Sequence, residues 1–445
     1  MLLILLHSSC PPLKPTAPNA VITPLMKFTL FPAALGLLLT ATLCPADHWP
    51  QWRGASHDAV SHESGLPTEW SDTKNVLWKT ALPGMGSATP AVWGDKIFLT
   101  SEAGNDLVLL CVGTDGKELW QRKLGEGSSK ARGGEGNSAS PSPCTDGKLV
   151  FGLVGTGDFA AFDFSGKEVW RLNLQERYGK FSYDFGMHST PVLHEGRLYL
   201  QFIHPRAQLV VALDAATGKE VWKVDRPSDG KAECLNSYAT PCLWVRGKDA
   251  RLVTHGNDYA IAHNLADGKE VWRLGDLNPK DRYNATLRFV TSPVAVADLI
   301  IIPTAKNGAV VAVSPDASGV LSVGGKGEAW RVASGTPDVP SPVVFEGRVF
   351  LCRENGVLTC LDAKTGKQFF SDRFHAQTYR ASPVVAGGRV ILTAKDGTFT
   401  VVKPGETLDI VVKNKLSDQF TASPAIAGGR LYLRGFASLY AIGTK

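Results

Sequence analysis

The most constraining feature of the sequence is a short phrase that returns along the chain. "LDAATGKEVW" ends at Trp222, and close variants end at Trp120, Trp170, Trp272 and Phe370. A second phrase, of the type "TPVLHEGRLYL", recurs around eight prolines, at residues 90, 141, 191, 241, 293, 342, 383 and 424. Self-similarity at this spacing predicts stacked supersecondary units instead of one continuous core.

Each unit divides into four short strands. In the copy that begins at Pro342, "PVVF", "VFLCR", "VLTCLD" and "QFFSD" are separated by turns that contain glycine. Glycine at these points supplies the positive φ that tight hairpins need. A four-stranded sheet cannot bury both faces alone, whereas eight sheets arranged radially pack against one another. The fold class is therefore predicted to be all-β: an eight-bladed propeller of four-stranded antiparallel blades over residues 75–445, with the repeated tryptophans packed between blades.

The two ends of this region complement each other. The final copy, "LYLRGFASLYAIGTK", lacks the strand that carries the tryptophan, and Asn75–Leu82 ("NVLWKTAL") has the character of that missing strand. Pairing them builds one blade from both termini and leaves no open edge in the ring.

The repeat "LDAATGKEVW…TPV…GRLY" resembles the pyrroloquinoline-quinone-like (PQQ-like) repeat of eight-bladed propellers, over about residues 75–445. Relatives with this repeat include quinoprotein alcohol dehydrogenases and BamB-type envelope proteins. The resemblance implies the fold. It leaves function open, because one fold hosts many activities.

The N-terminus has the pattern of an export signal. Residues 26–46 contain one lysine, an apolar stretch and small residues before a cleavage point after Ala46, and residues 1–25 form an upstream extension. Lipidation at Cys44 is an alternative fate for this segment. We expect a bacterial periplasmic or cell-envelope location, with membrane association only through lipidation or partners. Residues 47–74 are rich in tryptophan, and we expect them to pack across the blades as an ordered strap.

Charge and cysteine content narrow the function classes. The formal net charge is only +5 and no block of Lys and Arg occurs, so nucleic acid is not an expected partner. Cys352 and Cys360 flank the turn "RENGVLT", and both a disulfide between them and two buried thiols are compatible with the sequence. The serines and threonines that precede the repeat prolines are attributed to turn entry.

Four consecutive links between blades are long, whereas the turns after the first and third strands of each unit are uniformly short. Long connectors on one side of a ring predict a raised wall beside the central channel, and loops carry function. Its aromatic and polar residues suit recognition of protein, peptide or carbohydrate. The candidate binding residues are Arg132, Glu135, Asn137, Tyr183, Asp184, His188, Asn236, Tyr238, Tyr283, Asn284, Arg288, His375, Tyr379 and Arg380.

Two functional hypotheses follow. The first is a monomeric, exported, non-catalytic binding or scaffold propeller, with no cofactor and no metal expected. The alternative, implied by the resemblance, is a PQQ-dependent quinoprotein dehydrogenase that oxidises alcohols or aldoses and holds PQQ with Ca²⁺. Calcium requires several oxygen ligands, for which the rim offers Glu135, Asp184, Asn236 and Asn284. No catalytic residue is assigned under either hypothesis.

Overall fold

The computed structural model describes residues 48–128 and 136–444. The export signal and Cys44 lie outside the described residues. The regular secondary structure of the described chain is almost all β-strand, and its few helical turns, Leu174–Tyr178 (α1), Ala232–Leu235 and Lys280–Arg282, all lie in long links between blades. In the part of the chain that is described, no helix has the length and apolar character of a membrane span.

Eight sheets are present, as predicted, and the first four blades follow one another along the chain. Strand β1 (Val76–Ala81) precedes them. Blade one contains β2 (Ala91–Trp93), β3 (Lys96–Ala103), β4 (Asp106–Gly113) and β5 (Glu118–Glu126). Blade two contains β6 (Cys144–Thr145), β7 (Leu149–Leu153), β8 (Asp158–Asp163) and β9 (Glu168–Asn173). Blade three contains β10 (Val192–His194), β11 (Arg197–His204), β12 (Ala207–Asp214) and β13 (Glu220–Asp225). Blade four contains β14 (Cys242–Arg246), β15 (Asp249–Gly256), β16 (Tyr259–Asn264) and β17 (Glu270–Leu274).

The remaining four blades repeat the same antiparallel order, with one insertion in blade five. Blade five contains β18 (Val294–Val296), β19 (Leu299–Pro303), β20 (Val310–Val313) and β22 (Glu328–Val332), with β21 (Gly319–Leu321) inserted before the last strand. Blade six contains β23 (Val343–Phe345), β24 (Arg348–Cys352), β25 (Val357–Asp362) and β26 (Gln368–Arg373). Blade seven contains β27 (Val384–Ala386), β28 (Arg389–Thr393), β29 (Thr398–Lys403) and β30 (Asp409–Lys415). Blade eight contains β31 (Ala425–Ala427), β32 (Arg430–Arg434) and β33 (Ser438–Ile442).

The ring closes by the predicted pairing of its two ends. Strand β1 is antiparallel to β33, from Val76 opposite Ile442 to Ala81 opposite Ser438, and so supplies the fourth strand of blade eight. Each blade begins at the central channel with its short first strand, and its fourth strand lies outermost. We call the face that carries the links between blades the link face, and the face that carries the turns between first and second strands the hairpin face.

The repeated tryptophans join neighbouring blades. Trp170, on the last strand of blade two, donates from Nε1 to the carbonyl of Ala215 in blade three at 2.9 Å. A Cβ atom on Gly218, which has φ +66°, would lie 2.9 Å from this indole ring, so the glycine of the "TGK" turn makes room for it. The same bond is made by Trp78 to Thr114, Trp120 to Phe164, Trp222 to Leu265 and Trp330 to Ala363. The predicted packing role is confirmed, and Trp78, Trp120, Trp170, Trp222 and Trp330 each contribute one inter-blade hydrogen bond.

Blade five departs from this pattern. Its insertion forms β21, which pairs in parallel with β17 of blade four, from Trp272 opposite Gly319 to Leu274 opposite Leu321. Trp272 is fully buried, and its Nε1 atom has no hydrogen-bond partner among the described residues. The extension thus covers the outer edge of blade four, and this is the one sheet of the described chain that has five strands.

The first strand of blade two corrects one detail of the repeat alignment. The segment "SASPSPC" contains two prolines, and the sequence alignment used Pro141. Strand β6 begins at Cys144, so Pro143 is the equivalent of the other repeat prolines. The preceding residue, Ser142, also makes the inter-blade contact that defines this position, as described below.

The six cysteines of the described chain are buried free thiols. Strand register explains why Cys352 and Cys360 are not bridged: Cys352 lies opposite Leu358 and Cys360 opposite Phe350, so the two residues are offset along the ladder. Burial raises the pKa of the Cys360 thiol to about 12, which keeps it protonated and unreactive at neutral pH.

Candidate functional site in the central channel

A collar of hydroxyl residues lines the central channel, one from the start of each blade. Its members are Thr89, Ser142, Thr190, Thr240, Ser292, Ser341, Ser382 and Ser423. The backbone N–H of each member donates to the side-chain oxygen of the next blade's member at 2.9–3.1 Å, in an unbroken series of seven bonds from Thr89 to Ser423. The attribution of these residues to turn entry was therefore incomplete, because their hydroxyls join adjacent blades.

The strap crosses the hairpin face and contacts blades on both sides of the channel. Trp49 exchanges two backbone hydrogen bonds with Val92 of blade one, at 3.0 and 2.8 Å. Further bonds join Pro50 to Thr145, Gln51 to Leu193, Arg53 to Pro342, Ser61 to Val385, Glu63 to Gly428 and Trp70 to Asn414. Trp49 and Trp70 are 2% and 3% exposed, so this segment is part of the packed structure.

Trp52 forms the floor of the channel. It lines both the main channel cavity, of about 400 Å³, and a small cavity beneath the collar, and so lies between them. The guanidinium carbon of Arg53 is 5.4 Å from the centre of the Trp52 ring. The channel is consequently a blind pocket that is closed by the strap on the hairpin face.

The mouth of the pocket is built by the long links on the link face. Phe185, His188, Tyr238, Arg288 and Arg380 all line the cavity. The ring centres of Phe185 and Tyr238 are 5.9 Å apart, and those of His188 and Tyr238 are 6.0 Å apart. The guanidinium carbon of Arg288 lies 5.2 Å from the Phe185 ring centre. The mouth thus combines aromatic surface with two arginines.

Charges at the mouth are partly compensated. Arg288 forms an ion pair with Glu233 at 3.2 Å and lies 3.9 Å from a carboxylate oxygen of Asp338. Asp338 is also paired with Lys306 at 3.3 Å, and the hydrogen bond from Lys306 to Glu354 raises the pKa of this lysine. The side chain of Arg288 is 34% exposed, so it remains accessible to a ligand in the mouth.

Burial affects two further side chains at the mouth, those of His188 and Tyr238. Desolvation lowers the pKa of His188, whose Nε2–H donates to the carbonyl of Phe185 at 2.8 Å, and the imidazole is accordingly neutral. Tyr238 is 6% exposed, and its hydroxyl has no hydrogen-bond partner in the described part of the chain. A buried, unpaired hydroxyl beside a cavity is a natural contact for a bound polar group.

The structure brings four of the predicted residues to the cavity: His188, Tyr238, Arg288 and Arg380. Four others, Asn236, Asp184, Tyr183 and Asn137, support the mouth from behind. Asn236 donates to Asp184 at 2.9 Å, and Tyr183 packs edge-on against His204 with ring centres 4.7 Å apart. Asn137 donates to Ser87, which lines the cavity, at 2.8 Å.

Four other predicted residues do not line the cavity. Tyr283 donates to Asp258 at 2.7 Å, and Asn284 accepts hydrogen bonds from Thr286 within its own loop. His375 and Tyr379 share a hydrogen bond of 2.8 Å, and Tyr379 is fully buried. Arg132 and Glu135 lie outside the described residues.

Sequence reasoning missed the floor and the wall of the pocket. Trp52 belongs to the strap, which does not share the repeat, so no periodic signal placed it at the channel. The collar residues were recognisable in the sequence, since each precedes a repeat proline. The sequence alone does not show that their hydroxyls meet around the channel. Asp338 lies in a short link between blades and was not selected for that reason.

A calcium ion needs several oxygen ligands that converge on one point. Asp338 is the one carboxylate that the described residues place on the cavity wall, and it is already paired with Lys306. Asp184 and Asn236 contact each other, whereas the Asn284 side chain bonds within its own loop. Among the described residues, no three His, Cys, Asp or Glu side chains are grouped as metal ligands. These residues do not fit the multi-carboxylate calcium site that PQQ enzymes use.

The fold and the channel define an eight-bladed propeller of PQQ-like repeats with a strap-closed axial pocket. The family model described as "Outer membrane protein assembly factor BamB" (PQQ_2) matches residues 155–322 and 317–409, which together exceed half of the chain. The chain therefore belongs to this family.

Individual relatives point to two kinds of protein. The chain is 24% identical over 223 residues to an outer membrane protein assembly factor BamB from Burkholderia pseudomallei, covering 48% of this chain and 51% of the relative. It is 23% identical over 208 residues to a polyvinylalcohol dehydrogenase from Pseudomonas sp, covering 43% of this chain and 31% of the relative. The chain thus spans about half or less of the length of these curated relatives. A quinohemoprotein alcohol dehydrogenase from Comamonas testosteroni has a similar structure, with a TM-score of 0.64, 14% identity, and coverage of 89% of this chain and 81% of that chain.

Proposed function

We propose that this protein is an exported binding or scaffold propeller of the bacterial cell envelope that recognises a polypeptide segment at the channel mouth. The observation that carries the proposal is the mouth itself, where Phe185, Tyr238 and Arg288 present aromatic faces and a guanidinium around one cavity. Aromatic and arginine side chains are the residues that dominate protein recognition sites. Family membership supports a binding role at a coarse level, and the predicted signal over residues 26–46 supports export.

The position of the mouth also supports this proposal. A propeller is stabilised by packing between neighbouring blades. Long links between blades are not needed for this stability, since the other blades of this ring are joined by shorter ones. In this chain the long links follow four consecutive blades and bring Phe185, Tyr238 and Arg288 together. A protein partner would approach on the link face, because the strap covers the channel on the hairpin face.

The test is binding of a fluorescein-labelled peptide library to the purified mature protein, measured by fluorescence anisotropy. We expect saturable binding that Arg288→Gln weakens by about tenfold or more, since a recognition arginine typically contributes over 1.4 kcal/mol. Arg246→Gln is the matched control, because Arg246 also lies over an aromatic ring, 5.0 Å from the centre of Trp244, and is paired with an acid, Asp316. Binding that is equal in both variants, or confined to glycans on a parallel array, would contradict a peptide site.

The dehydrogenase alternative requires bound PQQ and Ca²⁺. It also requires a set of oxygen ligands for Ca²⁺ that the described residues do not supply. Titration with PQQ and Ca²⁺, followed by absorbance and by a dye-reduction assay with alcohols and aldoses, separates the two hypotheses. Cofactor binding with turnover would replace the binding role by an enzymatic one.

A further inference from the structure

The collar hydroxyls have an unused donor each. Seven of them accept a backbone N–H from the neighbouring blade, and no hydrogen bond donated by these seven O–H groups occurs among the described residues. A hydroxyl carries one donor and two acceptor sites. Because an accepted N–H polarises the hydroxyl, its own O–H becomes a better donor. The wall of the pocket therefore presents a ring of polarised O–H donors.

A buried positive charge lies beneath this ring. Arg53 is 6% exposed, and its Nε and Nη1 atoms have no partner among the described residues. Its Nη2 atom donates to the carbonyl of Pro342 at 2.7 Å, directly after the collar residue Ser341. Arg53 also lines the small cavity beneath the collar, together with Thr190 and Thr240.

The Arg53 charge is not neutralised by an ion pair with any described carboxylate. Its second hydrogen bond, of 3.0 Å, goes to the backbone carbonyl of Asp58 and not to that side chain. Burial lowers the pKa of Arg53 to about 10, so the guanidinium stays charged at neutral pH. Asp58 attracts this charge without forming an ion pair with it. A further anion nearby would therefore offset more of the cost of burying the guanidinium.

Ion pairs compensate the charges at the mouth, above the collar. Arg288 is paired with Glu233 and lies near Asp338, and Asp338 is paired with Lys306. Asp338 is the one acid that the described residues place on the cavity wall. The counter-charge for an anion in the channel would therefore come mainly from Arg53.

We propose that the central channel is an oxyanion-binding site, in which a carboxylate or phosphate group accepts hydrogen bonds from the collar hydroxyls above the Trp52 floor. Arg53 acts from beneath this floor as a counter-charge, through the low-dielectric interior. The oxyanion has two possible sources, a free small anion and the terminal carboxylate of a peptide seated in the mouth. Binding of a free anion does not depend on the peptide role, because the collar and Arg53 are separate from the mouth residues, whereas the terminal-carboxylate source rests on the proposed function.

The experiment is isothermal titration of the mature protein with sodium phosphate, sulfate and acetate, with chloride at matched ionic strength as reference. We expect saturable heat and a melting temperature that rises with phosphate, sulfate or acetate but not with chloride, as linkage requires of a ligand that binds the folded state. Peptides with a free and an amidated C-terminus identify the source of the anion. Binding of the free acid alone assigns the site to a chain terminus, and binding of inorganic phosphate assigns it to a free anion. Absence of both would overturn the proposal.

Two variants make the test specific. Arg53→Met keeps the side-chain volume and removes the charge, and we expect anion affinity to fall about tenfold or more while the protein still folds. Ser382→Thr retains the hydroxyl and should bind like the unmodified protein, whereas Ser382→Ala should bind more weakly. Equal anion affinity in Arg53→Met and the unmodified protein would contradict the role of Arg53. Two results keep the proposals separable: Arg53→Met should lose anion binding and keep its affinity for an amidated peptide, and Arg288→Gln should lose peptide affinity and keep its binding of inorganic phosphate.

Discussion

The backbone N–H of Ser292 donates to the Oγ atom of Ser341 at 2.9 Å, across the boundary between blades five and six. Both residues are buried, at 3% and 1% exposure, and equivalent bonds join the other blades around the channel. Side chains at the innermost position thus connect each sheet to the next, where the first strands are too short to pack extensively. The tryptophans make the corresponding connection further out from the channel.

Replacement of a collar hydroxyl should destabilise the ring. In Ser341→Ala the N–H of Ser292 loses its acceptor in a buried site, and we expect the free energy of unfolding to fall by about 1–3 kcal/mol. Ser341→Thr should have a smaller effect, because threonine occupies this position in other blades. Urea unfolding measures both, with Ser334→Ala, at an exposed serine, as control. Equal stability of Ser341→Ala and the control would show that the collar bonds contribute nothing.

The strap should contribute to stability through its buried tryptophans. Trp49 is 2% exposed and pairs with blade one, so we expect Trp49→Ala to lower the free energy of unfolding by about 3–5 kcal/mol. Deletion of residues 47–74 should lower the melting temperature further, since it also removes the bonds to the other blades. Calorimetry checks both changes. Val320→Ala, at a valine that is 83% exposed, is the control, and an unchanged melting temperature after the deletion would contradict a structural role of the strap.

Acid should destabilise the protein through buried neutral histidines. His255 is fully buried, neither ring nitrogen has a partner among the described residues, and burial lowers its pKa to about 3. Because the folded pKa is below the unfolded value of about 6.5, the stabilising contribution is complete above pH 6.5 and is lost as the pH falls towards 3. This shift predicts a loss of about 2 kcal/mol between pH 7 and pH 5 from His255 alone.

Urea unfolding at pH 7 and pH 5 tests this expectation. His255→Gln should reduce the difference between the two pH values, whereas His62→Gln, at an exposed histidine, should leave it unchanged. A pH dependence that is identical in both variants would refute the assignment to His255.

Arg288 should matter for binding far more than for folding. Its ion pair with Glu233 is about one-third exposed, and such pairs contribute about 0–1 kcal/mol to stability. We therefore expect Arg288→Gln to keep the melting temperature within a few degrees of the unmodified protein while peptide affinity falls. A large loss of thermal stability would instead identify Arg288 as a structural residue of the mouth.

The architecture was predictable because its signal is periodic. The repeated glycine turns predicted the strand boundaries, and the number of repeat prolines predicted the number of blades. The unpaired strand around Trp78 predicted how the ring closes. The alignment error at Pro141 arose because "SASPSPC" offers two prolines at one boundary, and only the position of β6 decides between them.

The site was less predictable because its parts come from segments with no common pattern. Phe185 and Tyr238 lie in different links and meet only after the blades pack. Trp52 reaches the channel from the strap, and Tyr379 is buried, although both occur in aromatic segments of similar appearance. Residue composition indicated which links carry recognition chemistry, but the direction of each side chain depends on tertiary packing.

The pairing of Val76–Ala81 with Ser438–Ile442 has a consequence for biosynthesis. Since the eighth sheet combines β1 with β31, β32 and β33, it stays incomplete until β33 has been synthesised, and the ring can close only then. An early-emerging β1 must wait for a partner made several hundred residues later. Removal of β33 should open the ring as effectively as removal of β1. A circular permutant with its new termini between blades six and seven would move the closure point to that boundary and leave the other blades unchanged.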